Sequence, residues 1–468
     1  MTGKRKRKLA MPDTLIIVAS VVLLVAILSW IIPSGTYDYQ EMNINGRIRN
    51  VAIDGTYHTI DKSEVTTTGF LGFFSVLYRG CVEAADVIFM ILCCCGTFGV
   101  VVKTGAFHAG IGTILKKLKG KEILLVPIIM MIFGLGGSVF GMASEFYGFY
   151  PLIVGLGVAL GYDAMFGFAI IAVGEFVGFM GATLNPYSVG IAQTISGVEL
   201  YSGTGYRVIC FVIFMAISII YVMVYGRKIK KNPGASVVFG EKNIHAFDRD
   251  ELNEYSFTLK DGLVLLDVLV VLVVLMLGLI KWGWDFPQLC GLFLLMSMIA
   301  AAICKWSPNK WCSEFIDSAK TAMWGCILTG IAKAITVVMQ DAQIMDTVIY
   351  GLSNVLKNAP HAVSAQVMLV VQTLINFFIP SATGQASATM PIMAQLADII
   401  GVSRQTAVLA FQFGDGLSNI FWPTADIVII CGLGGISLQK WYKWFTPLFL
   451  ILFVTQAILL GIATGIGF

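Results

Sequence analysis

The chain has 468 residues, of which 57% are hydrophobic and only 13% charged, with a formal net charge of +3 at pH 7. Soluble domains carry roughly 25% charged residues, so there is too little polar surface here for a protein that faces water on all sides. A soluble globular domain is excluded, and apolar stretches recurring along the whole length indicate a membrane bundle.

A transmembrane helix needs roughly 20 mostly apolar residues to cross about 30 Å of hydrocarbon. In chain order, such spans are predicted at 13–32, 84–102, 207–225, 261–280, 286–304, 321–340 and 442–467. Lys4, Arg5, Lys6, Arg7 and Lys8 precede the first. A basic tail beside a span orients insertion, so nucleic acid is not expected as a partner. No small-residue cleavage site follows this span, where Trp30 and Pro33 stand instead, and the segment is expected to remain as an anchor. Lys116, Lys117, Lys119 and Lys121 follow the second span, and Arg227, Lys228, Lys230 and Lys231 follow Tyr225. The positive-inside rule puts these groups and the N-terminus in the cytoplasm, which leaves the acidic 33–70 segment and the C-terminus outside. Residues 1–32 thus form a tail and anchor, 71–225 a first half, 226–260 a polar linker, 261–304 two spans and 305–468 a second half. Of the ten cysteines, Cys93, Cys94 and Cys95 lie within a span without the spacing of a zinc site, and they read as packing residues.

The halves resemble each other. At an offset of 240, Pro151 falls on Pro391, Gly161 on Gly401, Gly174 on Gly414 and Glu175 on Asp415; upstream, at 236, Ala106 meets Ala342. Span 84–102 runs toward its lysine cluster, whereas its counterpart starts beside Lys305, Lys310 and Lys320, so the halves are expected to be inverted. The breaks fall at matching places. Gly134, Gly136, Gly137 and Gly141 interrupt one apolar run before Met142-Ala143-Ser144-Glu145, and Ile379-Pro380-Ser381-Ala382-Thr383-Gly384-Gln385 interrupts the other. Re-entrant hairpins are predicted near 134–150 and 376–400. Further breaks follow at Gly181–Pro186 and at Gly414–Asn419 with Pro423 and Thr424. Unwound backbone at membrane depth must be buried in protein or line a polar cavity, so the four breaks are expected to converge on one site.

A charge near the bilayer centre costs about 2.5–3.5 kcal/mol on insertion scales unless paired or solvated. Glu145, Glu175 and Asp415 stand in or beside the breaks and suggest a site for positive charge: sodium, a proton or a cationic solute. Half-helix N-termini in the same place suit a carboxylate, and an amino acid satisfies both features. The structural alternative pairs Glu175 with Arg207 or Lys333. Lys333, in mid-span, is either an internal counter-ion or a contact for a substrate carboxylate. Glu83, Asp86, Asp163, Asp398 and Arg404 lie near predicted helix ends and are expected to snorkel.

Asn185-Pro-Tyr-Ser-Val-Gly-Ile-Ala-Gln193, Pro380-Ser-Ala-Thr-Gly-Gln-Ala386 and Phe411-Gln-Phe-Gly-Asp-Gly416 with Pro423-Thr424 resemble the YfcC family, which belongs with the DcuC-type carriers of the ion transporter superfamily. Met11-Pro12 and Trp30-Ile-Ile-Pro-Ser-Gly35 fit as well. The resemblance implies an all-α polytopic fold of two inverted repeats with re-entrant hairpins and discontinuous helices, alternating access, and a homodimer. It also implies exchange of basic amino acids such as arginine and ornithine, with relatives that carry C4-dicarboxylates. One position departs: where the family pattern has two adjacent acids after Gly141-Met142-Ala143, this chain has Ser144 and then Glu145, one acid fewer for a basic ligand.

His58, His108, His245 and His361 form no metal pair and no nucleophile motif is present, so no enzyme is expected. A channel would show a selectivity ring or one continuous pore, whereas inverted broken helices suit a secondary transporter of the bacterial inner membrane. No ATP-binding motif is present, which leaves ion or substrate gradients, with sodium or a proton as coupling ion and no other cofactor. The predicted ligand set is Glu145, Glu175, Thr183, Asn185, Pro186, Ser381, Thr383, Gly384, Gln385, Asp415, Asn419 and Thr424. Carriage of C4-dicarboxylates or another carboxylate with sodium or protons is the alternative, and a passive facilitator the second.

Overall fold

The computed structural model describes residues 13–44, 47–118, 122–241, 245, 257–357 and 363–468. The tail Lys4–Lys8, Met11-Pro12, Lys119, Lys121, His361 and most of the linker after Glu241 lie outside the described residues. Among the described residues, eight helices are long and apolar enough to cross a membrane, including every predicted span.

Helix α1 (Thr14–Ile31) starts where the Asp13 side chain accepts a hydrogen bond from the Leu15 amide at 2.9 Å. It stops at extended Ile32, because Pro33 disfavours a helical residue before it. The next segment corrects the all-helical expectation with four short strands: β1 (Ser34–Thr36) pairs with β4 (His58–Ile60), and β2 (Tyr39–Ile44) with β3 (Arg47–Ala52), both antiparallel. A buried acid far along the chain anchors them. Asp346 accepts from the Tyr37 amide at 3.0 Å, the Thr36 hydroxyl at 3.2 Å and the Tyr39 phenol at 2.8 Å. Ladders this short have little intrinsic stability, so this distant contact, invisible to local patterning, sustains them.

Two kinked helical pairs follow the same plan. α2 (Phe70–Glu83) bends at Ala84 into α3 (Ala85–Lys103). After α4 (Ala106–Leu118), α5 (Leu125–Leu135), α6 (Phe149–Ala159), α7 (Ala164–Met180), α8 (Val189–Ile195), α9 (Thr204–Lys231), α10 (Leu259–Lys281) and α11 (Phe286–Ile303), the second pair is α12 (Pro308–Lys320) with α13 (Met323–Asp341). α2 packs on α13 while α12 packs on α3, and α1 and α11 flank α13 and α3 respectively. Glycine permits this approach: a Cβ on Gly80 would collide with backbone of Gly330 and Ala334. The chain continues through α14 (Met345–Lys357), α15 (Ser364–Phe378), α16 (Ala382–Ile399), α17 (Arg404–Ser418), α18 (Asp426–Gly434) and α19 (Leu438–Gly465).

α5 packs on α7 as α15 packs on α17, and α7 crosses α17 at the centre. α7 is buried along its whole length, Glu175 included, which explains why its apolar residues show no amphipathic stripe. Here too backbones touch. A Cβ on Gly137 would stand 2.5 Å from the Glu175 carbonyl, and one on Gly178 would overlap the Gly134 backbone. Backbone cannot yield as a side-chain tip does. Gly178→Ala is therefore expected to destabilise by roughly 1–3 kcal/mol through overpacking, read as a lower unfolding temperature of the detergent-solubilised protein. Gly72→Ala, which meets only the Thr68 methyl at 3.7 Å, should leave that temperature unchanged.

Candidate functional site

Four interruptions in the helices have local causes. α5 runs into a π-turn at Gly136–Phe140 and stops at Gly141, whose φ of +69° suits glycine and whose missing Cβ leaves room for the Asn185 side chain. Beyond it, Ser144–Phe146 form a 3₁₀ turn and Glu145 folds back to accept from the Ala143 amide at 3.0 Å. After α7, the Asn185 carboxamide oxygen accepts from the Tyr187 and Ser188 amides at 2.9 and 3.2 Å, a turn that Pro186 reinforces by lacking an N–H. Pro380 ends α15 in the same way, and the Ser381 hydroxyl caps α16 at the Gly384 amide. After α17, Thr424 donates to the Phe377 carbonyl at 2.7 Å and the Trp422 indole to the Thr373 carbonyl at 2.6 Å.

These interruptions converge. Ser138 receives the Thr183 amide on its carbonyl at 2.9 Å and shares a 3.1 Å hydroxyl contact with Thr183, joining the first break to the second. Thr383 donates to the Tyr187 carbonyl at 2.8 Å, joining the third to the second. Tyr147 donates to the Asp426 carboxylate at 2.8 Å, joining the first to the fourth. Between them lies a cavity of about 570 Å³, which reaches past Thr329, Lys333, Thr336 and Gln340 of α13 to Met345, beside the strands.

The predicted set divides at the cavity wall. Ser381, Thr383, Gly384, Asn419 and Thr424 line it. Glu145, Glu175, Thr183, Asn185, Pro186, Gln385 and Asp415 stand outside the lining; the second break supports the wall from behind. Glu175 is fully buried and takes the Tyr150 phenol at 2.8 Å, while its second oxygen has no hydrogen-bond partner among the described residues. Among the described residues, Glu175 forms no ion pair with Arg207 or Lys333. Arg207 is 1% exposed with all three guanidinium nitrogens unpartnered among the described residues. Asp415 belongs to a buried network in which the Asn376 amide nitrogen lies 2.9 Å from Asp415, 3.2 Å from the Gln385 oxygen and 3.2 Å from the Asn419 oxygen. The Gln385 nitrogen continues it to the Gln372 side-chain oxygen at 2.7 Å.

Among the wall residues that sequence reasoning missed are Asp426, Tyr147 and Glu83, beside the Thr329, Thr336 and Gln340 face of α13. The signal for Asp426 was its position: it opens α18 after the Pro423-Thr424 break, where an acid in the first turn is a helix-start signal. Tyr147 carried no polar-pattern signal. Glu83, expected to snorkel at a span end, lies instead at the α2–α3 bend and on the wall, because the two helices form one kinked rod.

The sequence matches the family model for the C4-dicarboxylate anaerobic carrier, DcuC, over residues 11–465. The chain belongs to this family. It is 32% identical over its full length to YfcC of Escherichia coli K12, whose name proposes a basic amino acid antiporter, and covers 99% of that protein. An uncharacterized Haemophilus influenzae protein is 27% identical, with 99% of both chains covered. Among solved structures, the YdaH transporter of Alcanivorax borkumensis aligns at TM-score 0.44 and 15% identity, over 98% of this chain and 99% of that one. MtrF of Neisseria gonorrhoeae, from a class of antimetabolite efflux pumps, aligns at 0.44 and 16%, over 97% and 96%. This DcuC-family chain is a multi-pass membrane transporter and not an enzyme.

Asn376 holds the network together. Asn376→Leu keeps the branched shape, with bulkier methyl ends, but strips donors from Gln385, Asp415 and Asn419, and is expected to cost roughly 2–5 kcal/mol. Thr389→Val, at the network edge beside Gln372, should cost about 1 kcal/mol. Paired thermal-unfolding curves in detergent measure the difference.

Proposed function

We propose that this transporter carries amino acids, basic ones of the arginine and ornithine type foremost, across the bacterial inner membrane by alternating access, as an exchanger or with a sodium ion or proton. The observation that carries the reading is the charge of the cavity. Asp426 and Glu83 are on its wall and outnumber Lys333 among the described lining residues, and Asp415 and Glu175 lie buried close behind. An acid-rich, partly enclosed cavity concentrates cationic solutes. The name of the YfcC relative points the same way.

Two inverted repeats would supply the alternation. Gly161 and Gly401 both adopt left-handed φ, +82° and +71°. Asp163 and Ser403 both cap the helix that follows, at the Phe166 and Thr406 amides. Gly174 and Gly414 each admit a neighbouring backbone, that of Met130 and of Thr373. The reciprocal packing of α2 on α13 and α12 on α3 is what a pseudo-twofold axis would produce. With the basic end of α9 in the cytoplasm, the end of the cavity at Gln340 and Met345, beside the strands, would lie toward the outside.

The second reading, a cation-coupled carboxylate carrier, is favoured by the family description and by Lys333 and the first turn of α16 on the same wall. Uptake of labelled arginine and of labelled succinate into proteoliposomes, with and without sodium, separates the two. Arginine uptake that Asp426→Asn lowers at least about tenfold, with Asp415→Asn equally affected and both proteins monodisperse, is the expected result. Succinate uptake without arginine uptake would transfer the assignment to carboxylates, and unchanged arginine uptake in both variants would remove these acids from the transport site.

A further inference from the structure

The cavity has a polarity that its acid excess conceals. Up to its terminal Asp341, α13 is otherwise apolar and crosses the bundle, yet Thr329, Lys333, Thr336 and Gln340 recur at helical spacing and all four line the cavity. A polar stripe on one face of a membrane-spanning helix is held there by what the face meets. Lys333 is its only charge. Three basic side chains elsewhere on the same helical pairs are matched by acids, Arg79 with Asp341, Lys103 with Glu314 at 2.6 Å and Lys320 with Asp317 at 2.8 Å, and Lys310 rests on the Trp306 ring. Lys333 has no ion pair among the described residues. Of the two carboxylates on the wall, Asp426 on α18 is already engaged by Tyr147, and Glu83 at the α2–α3 bend makes no ion pair with Lys333 among the described residues.

Register fixes how these two charges stand. Gly325 of α13 abuts Ile429 and Gly432 of α18. Lys333 lies about 12 Å further along α13, at 1.5 Å per residue, whereas Asp426 begins α18 less than one turn from Ile429. α13 ends at the strand segment, where the Asp341 and Gln343 carbonyls accept from Thr66 and Gly35, whereas α18 leads to Lys440 on the linker carbonyl of Val237. The two helices thus run antiparallel, and Lys333 stands beyond the start of α18, toward the strands, with Asp426 toward the helix breaks. A solute between them meets an ammonium at one end and a carboxylate at the other.

We infer that Lys333 recognises a carboxylate of the transported solute while Asp426 receives its cationic group, so that the cavity selects zwitterionic amino acids and rejects the corresponding amines. This rests on the amino acid reading above and sharpens it: an acidic cavity alone would take arginine and its decarboxylated counterpart alike. A substrate carboxylate relieves the unpaired ammonium through a charge-assisted hydrogen bond, which an amine cannot make.

The test is a cycle on purified full-length protein, titrating thermal stabilisation by arginine against agmatine, ornithine against putrescine, and lysine against cadaverine, with succinate alongside. At least one amino acid is expected to bind wild type roughly tenfold to a hundredfold more tightly than its amine. Lys333→Met should bring that amino acid down to the affinity of the amine and leave the amine unchanged; Lys333→Arg should keep part of the preference. Unliganded unfolding temperature and monodispersity establish that the variants fold, and the wild-type comparison of acid with amine stands without them. Equal binding of acid and amine by wild type, undiminished amino acid binding by Lys333→Met, or an equal loss for both ligands overturns the inference. Stabilisation by succinate and by no amino acid overturns the amino acid reading itself, and with it zwitterion selection. Binding of none of these solutes by wild type overturns both.

Discussion

Unwound backbone cannot face lipid, and the organisation of this transporter follows from that constraint. Each helix interruption exposes amide and carbonyl groups that hydrocarbon cannot satisfy. Here they are satisfied by one another's side chains: Thr183 with Ser138, Thr383 with the Tyr187 carbonyl, Thr424 with the Phe377 carbonyl. Segments that must supply each other's hydrogen bonds must also meet, and where they meet, a polar volume survives inside an apolar bundle. The cavity is the consequence of that convergence, and its wall is as much backbone turn as side chain.

The acids divide into two mechanical roles. Glu145 closes its own turn by accepting the Ala143 amide, and Asp415 is tied through Asn376 to Gln385 and Asn419, which connects the α15–α16 turn to the end of α17. Asp426 and Glu83 reach the cavity directly. Because Asn419 belongs both to the buried network and to the wall, a solute that touches Asn419 acts on the hydrogen bonds of Asp415 without contacting it. The same holds on the other side, where Tyr147 on the wall and Tyr150 on Glu175 sit one turn apart on the segment that leaves the first break.

Much of this was legible in the chain. Long apolar windows announced the spans, since only a helix satisfies its own backbone in lipid, and α1, α3, α10, α11 and α13 begin and end within three residues of the predicted limits. The glycine, proline and small polar clusters announced the breaks, for each residue type has one backbone reason to be there: Gly141 for its left-handed φ, Pro186 and Pro380 for the missing N–H. The strands were not legible, because Asp346, more than 300 positions away, supplies the hydrogen bonds that hold the first turns of that segment. Nor was the place of Glu83, which looked like a helix end until α2 and α3 joined as a single bent rod.

The sequence by itself determined that the chain is a membrane bundle, where its helices run and fail, and which family pattern its breaks repeat, since hydropathy, backbone geometry and residue identity are local properties. Only the tertiary structure decided which polar residues share a cavity. Ser381, Thr383, Gly384, Asn419 and Thr424 reached the wall, Glu175 and Asp415 were enclosed behind it, and Asp426, Tyr147 and Lys333 were brought to it from three separate segments. That sorting depends on how kinked helices cross and on which glycines let backbones touch, which is settled by packing between segments far apart in the chain and leaves no periodic trace within any one of them.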